Sequence, residues 1–462
     1  NITYTVAESG GCTDATDTYA VTVTGTVATV GSGNWNDASN WGSGSLPTAG
    51  QDITILHDVT VNTNTADLGN LTVNSGVTLS IGAYTVSVDG TYDATGGNTT
   101  FTDAGTLKLS GAVTSLGTFV KATNCTVEYD GGNQTVAALS GSPVSKSYYN
   151  LVINGTGTKT LAGTSRIDGD LTLTASTFDL SNKTIYPKAN ITASSGSITA
   201  SGSASITFNN SASHNIAGIN SSNVTIKTTS SSGTVTTAGN ITCKSIDLTS
   251  GTQTFVVDGE DVVVEDDIVV TAGTLQLTSG TIVVNSNSAN SAVVEGGTLD
   301  INGGTLTVGD NSVADLKMTS GTIDISGGTL TVKDQINIID GTFTQSGGTV
   351  NVCDHNATSG GSSADKFSIL AGNLNLTGGD LYFVRIAASA TTGTLIRYDA
   401  NSSIGSSNSS GGLLKPPPPA GTVIKSHKSD LPHVLYPPST HAVSNNKDIV
   451  ENDDDDWDDF QG

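Results

Sequence analysis

Six carboxylates fall between positions 258 and 267, at Asp258, Glu260, Asp261, Glu265, Asp266 and Asp267, around the apolar run Val262-Val263-Val264. Hard divalent cations gather several carboxylate oxygens, so this run is the candidate Ca²⁺ site of the chain. It has neither an EF-hand loop nor the Gly-Gly-x-Gly-x-Asp calcium nonapeptide, and its spacing equally describes two solvated acidic turns beside a buried strand. Asp354 and His355 form a smaller candidate ligand pair. Glycan cleavage needs clustered carboxylates with Arg, Lys or His in an aromatic-lined groove. The basic residues Lys183, Lys188, Lys227, Lys244, Lys317, Lys333, Arg385 and Arg397 are scattered along the sequence, and no His adjoins a nucleophile in a recognisable motif. No catalytic residue is assigned, no cofactor beyond Ca²⁺ is expected, and the chain is read as non-enzymatic. Trp35 and Trp41 are candidate carbohydrate contacts, or else the plug of an open apolar end.

The elements that must position these groups are announced by glycine. Gly273 and Gly280, Gly297 and Gly304, Gly321 and Gly328, Gly341 and Gly348, and Gly372 and Gly379 form pairs seven residues apart, and successive pairs begin 24, 24, 20 and 31 residues apart. Alternating apolar and Thr residues follow, as in Gly-Thr-Leu-Thr-Val at 304 to 308 and 328 to 332. A turn plus so short a strand cannot bury its own inward side chains and must stack on a copy of itself. Glycine supplies positive φ at the corners, while alternation sends one face inward and one to water. Two such units and a more variable third strand make one coil, with residues 332 to 338 as a candidate third strand. The longer interval before Gly372 accommodates an insertion at 353 to 366. The expected fold is therefore all-β, a right-handed parallel β-helix (β-solenoid), in which stacked Asn and Thr would form ladders between coils.

Composition agrees with a narrow core. Of 462 residues, 35% are hydrophobic and 5% aromatic, while 55 are glycine, which suits a solenoid better than large globular cores. The formal charge of −24, from 18 basic and 42 acidic residues, argues against nucleic acid or anionic membrane as partner. Cys12, Cys125, Cys243 and Cys353 are too far apart for a zinc or redox motif and read as isolated residues. No stretch approaches the roughly 20 apolar residues of a membrane span. With no initiator Met and no signal peptide, the sequence reads as a segment of a longer protein.

Four regions are expected. Residues 1–26 hold two strands, at 2 to 6 and 19 to 23, and resemble the last hairpin of an immunoglobulin-like module of Bacteroidetes-type surface proteins. Residues 27–60 contain Trp35, Trp41, Gly42, Pro47 and Asp52, a pattern that resembles the opening of the eight-glycine domain and its bacterial relatives. The resemblance implies a cap leading into the first coils of a secreted solenoid. Residues 61–412 form the solenoid. Residues 413–462 hold seven of the ten prolines and end in an acidic run with Trp457 and Phe460. They read as a disordered tail, and the ending resembles the acidic Trp-x-x-Phe peptide motif that engages clathrin-adaptor ear domains.

These readings describe a structural or adhesive stalk of a large extracellular or cell-surface protein, with glycans, other surface proteins or self-association as partners. The alternatives are a carbohydrate-binding or carbohydrate-degrading β-helix and a self-assembling fibre subunit.

Overall fold

A computed structural model describes residues 25–139, 147–286, 291–309, 315–352 and 367–383. It also describes the strand backbones of Ile2–Val6, Ala15–Tyr19, Ile396–Tyr398, Ser403–Ile404 and Leu413–Lys415. The chain divides into two compact units: Asn1–Ala137 with Gly141–Tyr149 and Gly155–Gly157, and Ala138–Ser140 with Asn150–Asn154 and Thr158–Gly462. Among the described residues the regular structure is β, apart from one 3-10 turn at Ala38–Asn40.

The first unit opens with an antiparallel hairpin in which Ile2 faces Tyr19 and Val6 faces Ala15. Its second strand thus lies four residues earlier than the alternation at 19 to 23 suggested. Parallel pairing then starts at once, with Val27 beside Ile53 and Gly33 beside Val59. The segment expected only to cap the solenoid therefore also contributes its first rungs. Three parallel sheets follow. Ile53–Ile55, Leu71–Val73 and Tyr92–Asp93 run in one, Val59–Val61, Thr78–Ile81 and Asn98–Phe101 in the next, and Thr85–Val88, Thr106–Leu109 and Thr126–Tyr129 in the third. Inward residues such as Ile55, Val61, Leu79 and Leu107 are fully buried. Tyr92 joins them because its hydroxyl meets Thr99 Oγ1 at 2.6 Å, and Thr99 in turn donates to Leu116 O at 2.8 Å. A buried phenol without that partner would be costly.

The second unit repeats the same three-strand coil with closer registry. Thr298–Ile301, Thr305–Val308 and Leu316–Met318 make one coil, and Thr322–Ile325, Thr329–Val332 and Ile336–Ile338 make the next. Residues 333 to 335 turn the corner between Val332 and the third strand. Corresponding threonines are 24 residues apart from Thr298 to Thr322 and 20 apart from Thr322 to Thr342, so coils change length at the corners while the strands stay in register. The insertion at 353 to 366, with Cys353, Asp354 and His355, lies outside the described residues, as do residues 416 to 462. Parallel pairing extends slightly past the expected boundary at 412, since Asp380 pairs with Leu413 and Tyr382 with Lys415.

Two devices seal the corners of this unit. Gly304 has φ +64° and Gly328 φ +66°, and a Cβ on Gly304 would lie 2.5 Å from Gly280 O in the coil below. Gly297 and Gly372 differ from the expectation, since their φ values are not positive. Gly297 is needed for proximity, because a Cβ there would stand 2.7 Å from Gly273 O. A side-chain ladder between coils is also present, formed by Asn with one Asp where Asn and Thr were expected. Asn150 Oδ1 accepts from Asp170 N at 3.1 Å, Asp170 Oδ1 from Asn190 N at 3.0 Å, and Asn190 Oδ1 from Asn215 N at 2.9 Å. Each side chain thereby satisfies a backbone donor one coil further on.

Candidate functional site

The predicted site residues that fall among the described residues each have a definite place in these frames. The indoles of Trp35 and Trp41 are each only 2% exposed. Their rings meet edge to face at 4.7 Å, and Trp41 Nε1 donates to Trp35 O at 2.9 Å. No ring face is left for a sugar, so the carbohydrate-contact assignment is replaced by that of a plug at the start of the first unit. Trp457 and Phe460 lie outside the described residues.

The acidic run does not converge on one point. Val262 and Val264 of strand Asp261–Val264 point into the core, and the carboxylates take separate neighbours along the strand and its flanks. Asp258 accepts from Ser279 Oγ at 2.8 Å, Asp267 accepts from Ser286 Oγ at 3.2 Å, and Asp266 lies 3.9 Å from Lys244 Nζ. Glu265 accepts from Asn285 Nδ2 at 3.4 Å, while Asp261 is exposed and its backbone N–H donates to Asn240 Oδ1. The backbone O of Glu260 accepts from Thr281 N. Among the described residues no group of three or more His, Cys, Asp or Glu side chains is placed to hold a metal ion. The physical reason is geometric, since a strand alternates its side chains and spreads its two ends apart instead of folding them around a cation.

What the sequence separated, the stacking joins. On the outward face of the first sheet of the second unit, Gln276, Asp300 and Asp324 occupy successive rungs of one column. Parallel neighbours are about 4.8 Å apart, so two carboxylates 24 residues apart in sequence are stacked directly. Asp300 Oδ2 accepts from Gln276 Nε2 at 2.7 Å and from Asn302 Nδ2 at 3.0 Å, and Asn302 is itself held by Ser326 Oγ at 2.7 Å. Asp324 lacks those donors. Partial burial, and then the negative charge of Asp300, push its pKa above the usual carboxylate range. One carboxyl is thus held by amides while its neighbour on the next rung is harder to ionise than an ordinary Asp.

The basic residues are a second case. Seen in register, most of them gather on one sheet, that of Ser165–Ile167, Thr184–Pro187, Ala204–Phe208, Val224–Thr228 and their successors through Ile396–Tyr398, whereas Lys333 follows Thr329–Val332 of another sheet. Arg166, Lys227 and Lys317 share one outward register position, and the backbone of Arg397 continues the same register. Lys183, Lys188 and Lys244 border its strands. Some are neutralised across a rung, as Lys227 by Asp247 at 3.6 Å and Lys188 by Asp168 at 2.7 Å. Their scatter in sequence is thus a consequence of coil length, and Arg385 lies outside the described residues. Cys125 and Cys243 are free thiols buried in the core, and burial raises the pKa of both. No helix of the described residues is long and apolar enough to cross a membrane.

No family model, no curated protein and no solved structure matches this chain.

Proposed function

We propose that the chain is a load-bearing and display segment of an extracellular or cell-surface protein, a stalk whose coils hold other modules away from their anchor. The observation that carries this reading is the in-register parallel ladder of the second unit, where strand after strand pairs residue for residue with the coil before it. In such an arrangement tension along the stacking direction is shared by many backbone hydrogen bonds, and each coil is an elementary unit of extension. The acidic composition and the resemblance of the Trp35, Trp41, Gly42, Pro47 and Asp52 pattern to the opening of the eight-glycine domain and its bacterial relatives favour the same setting. Pulling the whole chain by its ends in a force-spectroscopy experiment should give a series of small releases. One coil of 20 to 24 residues frees about 70–85 Å of chain when extended. A single release of the whole contour, or extension without measurable resistance, would count against a load-bearing role.

The stacked carboxylates favour a second reading, a glycan-active β-helix. Carboxyl groups about 5 Å apart are the spacing of retaining glycosidases, and Asp300 and Asp324 lie on adjoining rungs. A reducing-sugar assay over a panel of polysaccharides, repeated with Asp300→Asn and Asp324→Asn, separates the two readings. Cleavage abolished by both substitutions would establish the enzyme, and cleavage unaffected by either would remove this pair from consideration.

A further inference from the structure

One group of basic residues on the cationic sheet is not explained by folding. Arg166 lies on the outward face of Ser165–Ile167, in register with Tyr186. Lys188 follows Pro187, the register partner of Ile167, and so stands beside Asp168. Two cations therefore occupy adjoining rungs with one carboxylate between them, and Asp168 is engaged by Lys188 Nζ at 2.7 Å. Among the described residues the Arg166 guanidinium makes no ion pair, and its Nε is buried without a hydrogen-bond partner. Burial, and then the charge of Arg166, lower the pKa of Lys188, so the juxtaposition is electrostatically unfavourable as it stands. A buried donor without a partner, in a place where two cations share one carboxylate, is the mark of a site shaped for something outside the chain.

We propose that Arg166, Tyr186 and Lys188 form a binding site for the carboxylate of an acidic polysaccharide. The planar guanidinium matches a carboxylate edge in a two-bond fork. The Lys188 ammonium has three donors and can keep Asp168 while giving another to the incoming oxygen. Tyr186, half-buried on the same face, offers an apolar ring edge and a hydroxyl beside the charged group, which suits a sugar ring better than a free inorganic anion. The net charge of −24 opposes a polyanion at long range. At physiological salt the screening length is about 8 Å, so the local cations decide. The inference does not rest on the load-bearing role and would survive its failure.

The test uses the whole chain and a short oligogalacturonate at about 0.15 M salt, with a neutral malto-oligosaccharide and a sulfated oligosaccharide as the other arms, read by isothermal titration. The native chain should bind the oligogalacturonate and not the neutral sugar. Arg166→Gln and Lys188→Gln should each weaken binding by about tenfold or more, because a charge-assisted hydrogen bond is lost. Lys227→Gln, whose ammonium already faces Asp247, should leave binding unchanged. Arg166→Lys keeps the charge without the fork and should fall between the native chain and Arg166→Gln, which also guards against a folding defect in the latter. No binding by the native chain, equal binding by Arg166→Gln, equal loss in Lys227→Gln, or binding of the sulfated sugar alone would each overturn the assignment.

Discussion

Gly304 shows how a single atom would disturb a coil. Its φ of +64° is a conformation that β-branched residues avoid, and an added Cβ would press on Gly280 O. Gly304→Val and Gly328→Val should each lower unfolding free energy by about 2–4 kcal/mol in urea titrations, since left-handed strain and backbone overlap act together. Unchanged midpoints in both would remove the corner role. His214 makes a different prediction. It is buried, its Nδ1–H donates to Ala189 O at 3.1 Å, and its Nε2 lies 2.9 Å from the Asn210 side chain. Burial, opposed by the bond to Ala189, lowers its pKa from the ordinary value of 6.5. A base depressed in the folded chain binds its proton more readily when unfolded, so its contribution is complete above the unfolded value and is lost as pH falls below 6.5. The melting temperature of the native chain should therefore fall more steeply between neutral pH and pH 5 than that of His214→Gln. Parallel curves would show that the imidazole does not titrate with unfolding.

At the scale of elements, stability depends on how a stack is started and how its rungs are matched. The first rungs rest on the Trp35 and Trp41 plug, so Trp41→Ala should cost about 3–5 kcal/mol, the usual range for deleting a buried large aromatic. Hydrogen exchange should quicken first in Ile53–Ile55 and Val59–Val61, while Thr106–Leu109 stays protected. Uniform acceleration would mean that the plug supports more than the first rungs. The strands themselves were legible in the sequence because inward positions must be apolar at every second residue, and Val86, Val88, Leu275 and Leu277 obey that rule without exception. The burial of Trp35 and Trp41 was legible too, because two large indoles in a polar chain need a dry place. Lateral neighbours were not. Whether Asp300 meets Asp324, or Arg166 meets Tyr186, depends on coil lengths that vary between 18 residues, from Ile53 to Leu71, and 33, from Asp380 to Leu413, and those lengths are set at corners where glycine, serine and asparagine carry little pattern. The carboxylates at 258 to 267 take separate neighbours for the converse reason, since neighbours in sequence along a strand are kept apart by it.

For the whole molecule the deciding quantity is charge. Forty-two acidic residues face 18 basic ones, and the ion pairs that offset the excess include Lys108 with Asp130 at 2.8 Å and Lys244 with Asp266 at 3.9 Å. All are partly exposed, and pairs of that kind contribute roughly 0–1 kcal/mol each. The burial that raises the Asp324 and Asp247 pKa values shows local cost on the same account. Self-repulsion of the excess charge acts on the folded state through every carboxylate at once, and salt screens it. Raising ionic strength from about 0.01 to 0.15 M shortens the screening length from about 30 to 8 Å. The melting temperature should therefore rise over that interval in a differential scanning experiment at neutral pH. A fall would mean that attraction across the rungs, concentrated on the cationic sheet, outweighs repulsion among the carboxylates. In that case Lys227→Gln should lower the melting temperature more at low salt than at high salt, which places the controlling interaction on the column that also carries Arg166.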